Sequence, residues 1–576
     1  MPGFIVTDYK TTFEISDLYK DKCINESLKN NDFIIKRNTL NKFLGDKVFE
    51  EREKSIIITE GVILNKLQLM EKYGFQTFPQ TIEYMYANNG ETFFDEFRGS
   101  FSGGYFDKEK GIWLFYTNQI GDKPLFYYKG GNNMIAASSV NYIIEVLKSM
   151  GISYSINEKA VYDVLTYGFM ASGKGNDTLV EGVLRLKAGT CLKYDTRQNK
   201  TEFIRYRLFT NTKLLNENLT EDDIIEELDV RFREAVALEF EKDREYGYIS
   251  LASLSGGLDS RMTTWVAKRL NYDMLNVTFS QNGYLDEKIA KKIVSYLGNE
   301  WIFKSLDDAK FLKDIDNIIE MNYGLSQYMG ISHGNSLGKY LNFDNIGIWH
   351  TGQLGDVIIG SYSQADTGYK PIKEIKRANS TFLADRIDRS NFNEYENEEM
   401  FILYTRGLGI LCSQLAHTNY TEMMSPFLDV DFLEFCLSIP LKFREGEKLY
   451  QRWVIKKYPD AAGFKWERIN SKITDPEFIR KLNQIRQRGP YKLARILGLK
   501  FKKLDLYSSM NPLNYWYATN RDVREFMDNY FHNGMKELHV SNLLRTDMVN
   551  MYEKGNVMEK TQVLTAISGI RRYQLS

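Results

Sequence analysis

Cysteine is scarce in this chain. The 576 residues hold four (Cys23, Cys191, Cys412 and Cys436), scattered and never in a C-x-x-C pair. That spacing argues against a disulfide framework or a thiolate metal site and fits a reducing compartment. Net charge is nearly absent as well. The 75 Lys and Arg stand against 76 Asp and Glu, so no overall pull toward nucleic acid or an anionic membrane is expected. No uncharged apolar run approaches the length that crosses a bilayer. The opening MPGFIVTDYK lacks the basic-then-apolar pattern of a secretory signal. The five histidines (His333, His350, His417, His532 and His539) show no metal-ligand spacing. The expectation is a cytoplasmic protein with no nucleic-acid partner and no membrane span.

What is present is a soluble globular composition, 43% hydrophobic and 26% charged, in a chain long enough for about two to four domains. Up to about Asp195 short β-rich segments alternate with Gly and Asn turns. Ser55–Ile58, Gly103–Phe106 and Gly111–Tyr116 read as strands, and Thr81–Asn89 and Ser139–Ser149 as helices. From Thr220, a helix N-cap followed by three acids, the texture changes. Tyr248–Leu254 reads as a buried strand, Met274–Phe279 as a second, and Leu285–Leu297 as a helix. Such alternation predicts a parallel, doubly wound sheet behind an α+β layered domain. Domains at 1–207 and 219–576 follow, joined by the polar segment Leu208–Asn218.

The strand Tyr248–Leu254 runs directly into Ser255-Gly256-Gly257-Leu258-Asp259-Ser260. Two glycines let the main chain turn its N–H groups against phosphate oxygens, and the following helix start adds its dipole. Ser255 and Ser260 offer hydroxyls, and Asp259 is a candidate Mg²⁺ ligand. An ordinary tight strand–turn–helix connection is the bland alternative.

This hexapeptide resembles the pyrophosphate loop of the asparagine synthetase family. Further stretches match in order: Phe97-Arg98-Gly99-Ser100-Phe101 with Gly121-Asp122-Lys123-Pro124-Leu125-Phe126, then Thr351-Gly352-Gln353-Leu354-Gly355-Asp356 with Gly360-Ser361-Tyr362, then Glu422 to Asp429. The resemblance covers about Ile56 to Lys472. It implies an N-terminal sandwich like class II glutamine amidotransferases (the Ntn type), and a C-terminal sheet of the ATP-pyrophosphatase, adenine nucleotide α-hydrolase-like, type. It implies ATP and Mg²⁺, with Ser255, Gly256, Gly257, Asp259, Ser260, Thr351 and Gly352 at the nucleotide and Asp259 and Asp356 on the metal. Lys472 corresponds to the family's active-site lysine, with Lys465 as a rival. A homodimer is implied by resemblance only.

The chain also departs from the family. Pro2 stands where a glutamine-hydrolysing member needs cysteine after the initiator, and Cys23 has no α-amine of its own. Glu60 and Val62 replace the glutamine-binding Asn and Glu, and at a third position Gln80 replaces an acid. These changes predict a retained scaffold without glutaminase activity. Gln353 replaces a Glu placed to accept a proton from ammonia, and an amide cannot act as a base. Val357 and Met424 are further changes. The expectation is an AMP-forming amide ligase joining a small-molecule or saccharide carboxylate to an amine. Ammonia-dependent asparagine synthesis and an inactive nucleotide-binding partner protein are the alternatives; sulfur insertion is disfavoured for want of paired cysteines. His350, just before the second loop, reads either as a nucleotide contact or as a packed strand residue. From Arg480 to Lys503 nine basic residues and no acids occur among apolar ones. They form either a dock for an anionic sugar polymer or lipid phosphate, or a solvated helical face.

Overall fold

The computed structural model describes residues 2–15, 22–170, 177–215, 219–361, 378–388, 395–496 and 509–574. Tyr362 of the second loop and residues 497–503 of the basic segment lie outside them.

The first half is a four-layered sandwich. One antiparallel six-stranded sheet has Gly3–Thr7 at its centre between Asn133–Ala137 and Ile34–Leu40. The other, also six-stranded and antiparallel, has Gly99–Asp107 paired with Ser55–Ile63 and Ile112–Thr117. The run Ile56-Ile57-Ile58 shows why the strands are apolar on both faces. Ile56 and Ile58 enter the core between the sheets with Phe4, Trp113 and Phe115, while Ile57 packs outward under Ile82 and Met85 of helix Phe78–Asn89. Successive strand side chains point to opposite faces, so a strand covered on both sides has no polar face to show. Helices Val140–Ser149 and Glu158–Tyr167 cover the first sheet, where Val140, Ile143 and Leu147 are buried with Ile5 and Ile135.

The second half is built on five parallel strands in the order Glu300–Ser305, Met274–Ser280, Ile249–Ser253, Ile346–His350 and Met423–Met424. The chain starts in the middle, winds outward one way, then returns to wind the other. The crevice therefore lies at the carboxyl ends of Ile249–Ser253 and Ile346–His350, the place where such sheets bind ligands. Helix Glu221–Tyr246 begins at a capping box of Thr220 and Asp223.

The segment expected to be a linker is not a free tether. Phe209 and Asn211 are buried, Asn211 donates to Glu399 at 2.8 Å, and the Leu215 N–H donates to the Ser438 carbonyl at 2.9 Å. Helix Val557–Tyr573, near the C-terminus, is buried against Glu158–Tyr167 of the first half and Ile315–Asn322 of the second, and Gln562 donates to the Val164 carbonyl at 3.2 Å.

Candidate active site

The first strand ends at Ser253, and the next residues form a tight cradle. The Ser255 N–H donates to Ser260 Oγ at 3.0 Å, the two serine hydroxyls meet at 2.9 Å, and the Gly257 N–H donates to Ser255 Oγ at 3.1 Å. The Gly256 N–H is held by Asp286 Oδ1 at 2.7 Å, and its carbonyl accepts from the Glu467 N–H at 3.0 Å. A Cβ on Gly256 would stand 2.7 Å from Glu467 Cβ, so this position takes only glycine. Helix Asp259–Arg269 opens at the cradle and turns its first N–H groups toward it.

Beneath the cradle lies Arg261, fully buried. Its guanidinium donates to the main-chain carbonyls of Gly256, Ala461, Phe464 and Lys465. Burial pushes its pKa down to about 10, which leaves it charged at neutral pH. A cation whose hydrogen bonds go to carbonyls leaves its field uncancelled, and here that field favours an anion above the loop.

The second loop locks into the first. A Cβ on Gly352 would meet the Ser260 nitrogen at 2.2 Å, and one on Gly355 would meet Asp259 Cγ at 2.9 Å. Leu354 adopts φ 64°, the left-handed turn that brings Gly355 inward. Thr351 is anchored by donating to the Met424 carbonyl at 3.0 Å, and its own carbonyl accepts from Thr263 at 3.0 Å. The two motifs, almost a hundred residues apart in sequence, thus form one surface.

Asp259 is buried where the loops meet, with Tyr450 Oη donating to Oδ1 at 2.8 Å. Burial first, and the neighbouring Asp356 carboxylate second, push its pKa well above the usual range. Glu447 adds to the crowding: its own pKa is raised, chiefly by burial, although Arg468 grips both of its oxygens. Arg468 Nη1 stands 4.0 Å from Asp356 Oδ2. A desolvated carboxyl facing another, with one phenol as side-chain donor, is short of positive charge, and a divalent cation would supply it. Among the described residues no set of three or more His, Cys, Asp and Glu is arranged for a metal. Two carboxylates suit Mg²⁺ nonetheless, because that ion takes few protein ligands and completes its shell with phosphate and water.

A cavity of about 340 Å³ opens against both loops, lined among others by Leu254, Phe279, Thr351, Gly352 and Gln353. Its lining also includes His333 and His417. Burial lowers both pKa values, that of His417 to about 4 with His333 beside it, so both are neutral. Neither ring nitrogen of His417 meets a partner in hydrogen-bond geometry. Among the described lining residues there is no lysine or arginine. Gln353 faces the cavity with its Oε1 accepting from Gln414 Nε2.

The sequence-derived residues divide between the cavity and its surroundings. Ser255, Gly257, Asp259, Ser260, Thr351, Gly352 and Gln353 line the cavity; Gly256 supports it from behind; Asp356 adjoins Asp259 without lining it. Lys472 is exposed on the hairpin of Lys465–Trp466 and Ser471–Lys472, and its rival Lys465 is exposed on the facing strand. The cation that stands beside the acids is Arg468, which sequence pattern did not single out although it sits in the same hairpin. Tyr450, Glu447, Asp286 and Arg261 were also missed; the first three lie far along the chain from the loop, and Arg261, although it directly follows Ser260, looks like an ordinary residue of the helix the loop opens. His350 does not line the cavity. It is fully buried in its strand, stacked on Phe240 at 3.8 Å between centroids and bonded to Glu239 and Asp243.

In the first half, Glu60 and Val62 are buried. Glu60 accepts from Thr39 at 3.0 Å and faces Lys47 at 3.5 Å; Lys47 in turn faces Glu422 at 3.7 Å, which pairs with Lys123 at 2.6 Å. Pro2 is buried, Gly3 backs against Ser138, and Gln80 is exposed on the first turn of its helix.

Residues 45–206 match the glutamine amidotransferase domain family, and residues 227–458 match the asparagine synthase family. A putative glutamine-hydrolysing asparagine synthetase of Methanocaldococcus jannaschii is 26% identical over 330 residues, 56% of this chain and 61% of that protein. A Bacillus subtilis glutamine-hydrolysing asparagine synthetase is 24% identical over 72% of this chain and 61% of its own length. A second M. jannaschii relative is 22% identical over 77% and 76% of the two chains. The matches with the first two thus span about three fifths of those relatives.

Proposed function

Because the chain belongs to the asparagine synthetase family, we propose that it is an ATP-dependent ligase that activates a carboxylate as its adenylate and passes the acyl group to an amine. The single observation that carries this reading is the interlocking of the Ser255–Ser260 cradle with the Gly352–Gly355 turn around the buried Asp259. A carboxylate oxygen of the substrate attacks the α-phosphorus of ATP, and pyrophosphate leaves. The amine then attacks the acyl carbon, and AMP leaves. The Gly257 N–H, the helix start and the Ser255 and Ser260 hydroxyls, which otherwise satisfy one another, turn to the phosphate oxygens. Asp259 and Asp356 would hold Mg²⁺, which neutralises charge on the departing pyrophosphate. Arg468, beside Asp356, is the cation placed to follow that charge, and Lys472 would reach it only by swinging in from the exposed hairpin.

The residues lining the cavity include those assigned to ATP, so its wall describes the nucleotide's surroundings rather than the acid's, and ammonia-dependent asparagine synthesis stands as the second reading. In the first half, Val62 and the ion pairs around Glu60 replace the groups that would hold glutamine, which supports a scaffold without glutaminase activity.

The test is ATP–pyrophosphate exchange with Mg²⁺ and a panel of aspartate, amino-acid derivatives and uronic acids, with Asp259→Ala as control. Exchange with one acid, lost in the variant, is expected. Silence across the panel together with undetectable ATP binding would sink the ligase reading in favour of an inactive partner protein.

A further inference from the structure

Helix Glu477–Ile496 follows the hairpin that carries Arg468 and Lys472. One side of its first half is tied down. Arg480 donates to Gln451 Oε1 at 2.9 Å, and Asn483 donates to Ser471 Oγ at 2.8 Å. At about 100° per residue, Phe478, Leu482 and Ile485 fall on the opposite side. They are 70%, 45% and 64% exposed. Large apolar side chains scattered singly over a surface need no explanation, but three at i, i+4 and i+7 make a continuous stripe.

The sequence of this helix is strongly basic. Glu477 is the only acid of the helix, and Lys481 bonds it one turn on at 2.7 Å. From Arg480 to the end of the helix at Ile496 the sequence holds six cations and no anion, although the whole chain is almost neutral. We propose that this helix lies in the surface of an anionic lipid bilayer, with Phe478, Leu482 and Ile485 among the acyl chains and the basic residues at the headgroups. A nucleic acid or an acidic saccharide would match the charge but leave the stripe in water. An apolar protein surface would cover the stripe but has no need of so many unopposed cations. Docking of this kind needs no spanning segment, and no helix among the described residues is long and apolar enough to span. The proposal is independent of the reaction assigned to the cavity.

The test is sedimentation of the full chain with sucrose-loaded vesicles of phosphatidylcholine alone or mixed in equal parts with phosphatidylglycerol. Binding to the mixed vesicles only is expected, and it should weaken as salt rises. The double variant F478Q/I485Q, at exposed positions and with a good helix former, should lower that binding by about tenfold or more. R486E should lower it as well, with both variants melting like the parent. Equal sedimentation of parent and F478Q/I485Q, or none with either vesicle, would overturn the proposal. So would undiminished binding of F478Q/I485Q to a sulfated polysaccharide resin by a protein that ignores vesicles, which would assign the segment to a polyanion.

Discussion

Arg98 holds Asp429 with two parallel hydrogen bonds, Nε to Oδ2 at 2.8 Å and Nη2 to Oδ1 at 2.7 Å. The arginine follows helix Phe78–Asn89 in the first half, and Asp429 caps helix Val430–Ser438 in the second by accepting from the N–H groups of Asp431 and Phe432. The pair is nearly dry, 12% and 5% exposed. Removing Arg98 strands a buried carboxylate, which costs about 3 kcal/mol. Arg98→Ala should lower the urea midpoint accordingly. The double variant R98M/D429N, which keeps a capping oxygen, should recover much of the loss; equal losses in both would show that the pair itself carries little.

His350 predicts a pH dependence. Burial alone would lower its pKa, but hydrogen bonds and charge from Asp243 and Glu239 lift it to about 9, against an ordinary value of 6.5. A group whose pKa is raised by folding contributes stability fully below its unfolded pKa and loses it as pH rises through the folded one. Burial also lifts the Glu239 pKa to about 7, which acts in the same direction. Stability should therefore fall between about pH 6.5 and 9 by roughly 3 kcal/mol. His350→Gln should be less stable at pH 6.5 and should show a shallower slope across that window in thermal melts, the remainder coming from Glu239, whose pKa rises further once His350 no longer lowers it. An unchanged slope in the variant would mean that other groups set it.

Asp259 sets stability against function. Its raised pKa means the ionised form is disfavoured in the fold, so its contribution is best at low pH and lost as pH rises. Without Mg²⁺, Asp259→Asn should melt higher than the parent at neutral pH, by a margin worth about 1–3 kcal/mol. With Mg²⁺ and ATP the parent should gain stability and the variant should not, and adenylation should fall at least about a thousandfold in the variant. A variant that melts lower in the absence of metal would contradict the like-charge account.

Much of the fold is local and could be read from sequence. The expected Thr220 cap forms, with Asp223 completing a capping box, and the alternation from Ile249 onward gives the parallel sheet because each strand and helix carries its own periodicity. What could not be read is partnership at a distance. Arg98, Lys123, Glu422 and Asp429 all lie in stretches that resemble family motifs, yet their work is to join the halves. The Lys123–Glu422 pair spans 299 residues, and Arg98–Asp429 spans 331. A motif shows that a residue type belongs at a position, not what it touches. The same limit hid Arg468, in the very hairpin read for its lysine, and left Leu208–Leu215 looking like a tether because its polar side chains find their partners in the second half.

Gln353 offers the sharpest test of the chemistry. Its main-chain carbonyl accepts from Ser425 at 2.9 Å and its side chain accepts from Gln414, so the amide is held at the cavity wall. An amide neither gains nor loses a proton at working pH. The attacking amine must then arrive as the free base, and the rate of amide formation should rise about tenfold per pH unit up to the amine's own pKa. Gln353→Glu places a carboxyl at this wall with the Gln414 amide as donor. Its profile should gain a second break well below the amine's pKa, while pyrophosphate exchange changes less than about tenfold, since adenylation moves no proton through this position. A parent enzyme that already shows the lower break owns a base elsewhere, and Gln353 would then be a structural substitution rather than the reason for the amine's protonation demand.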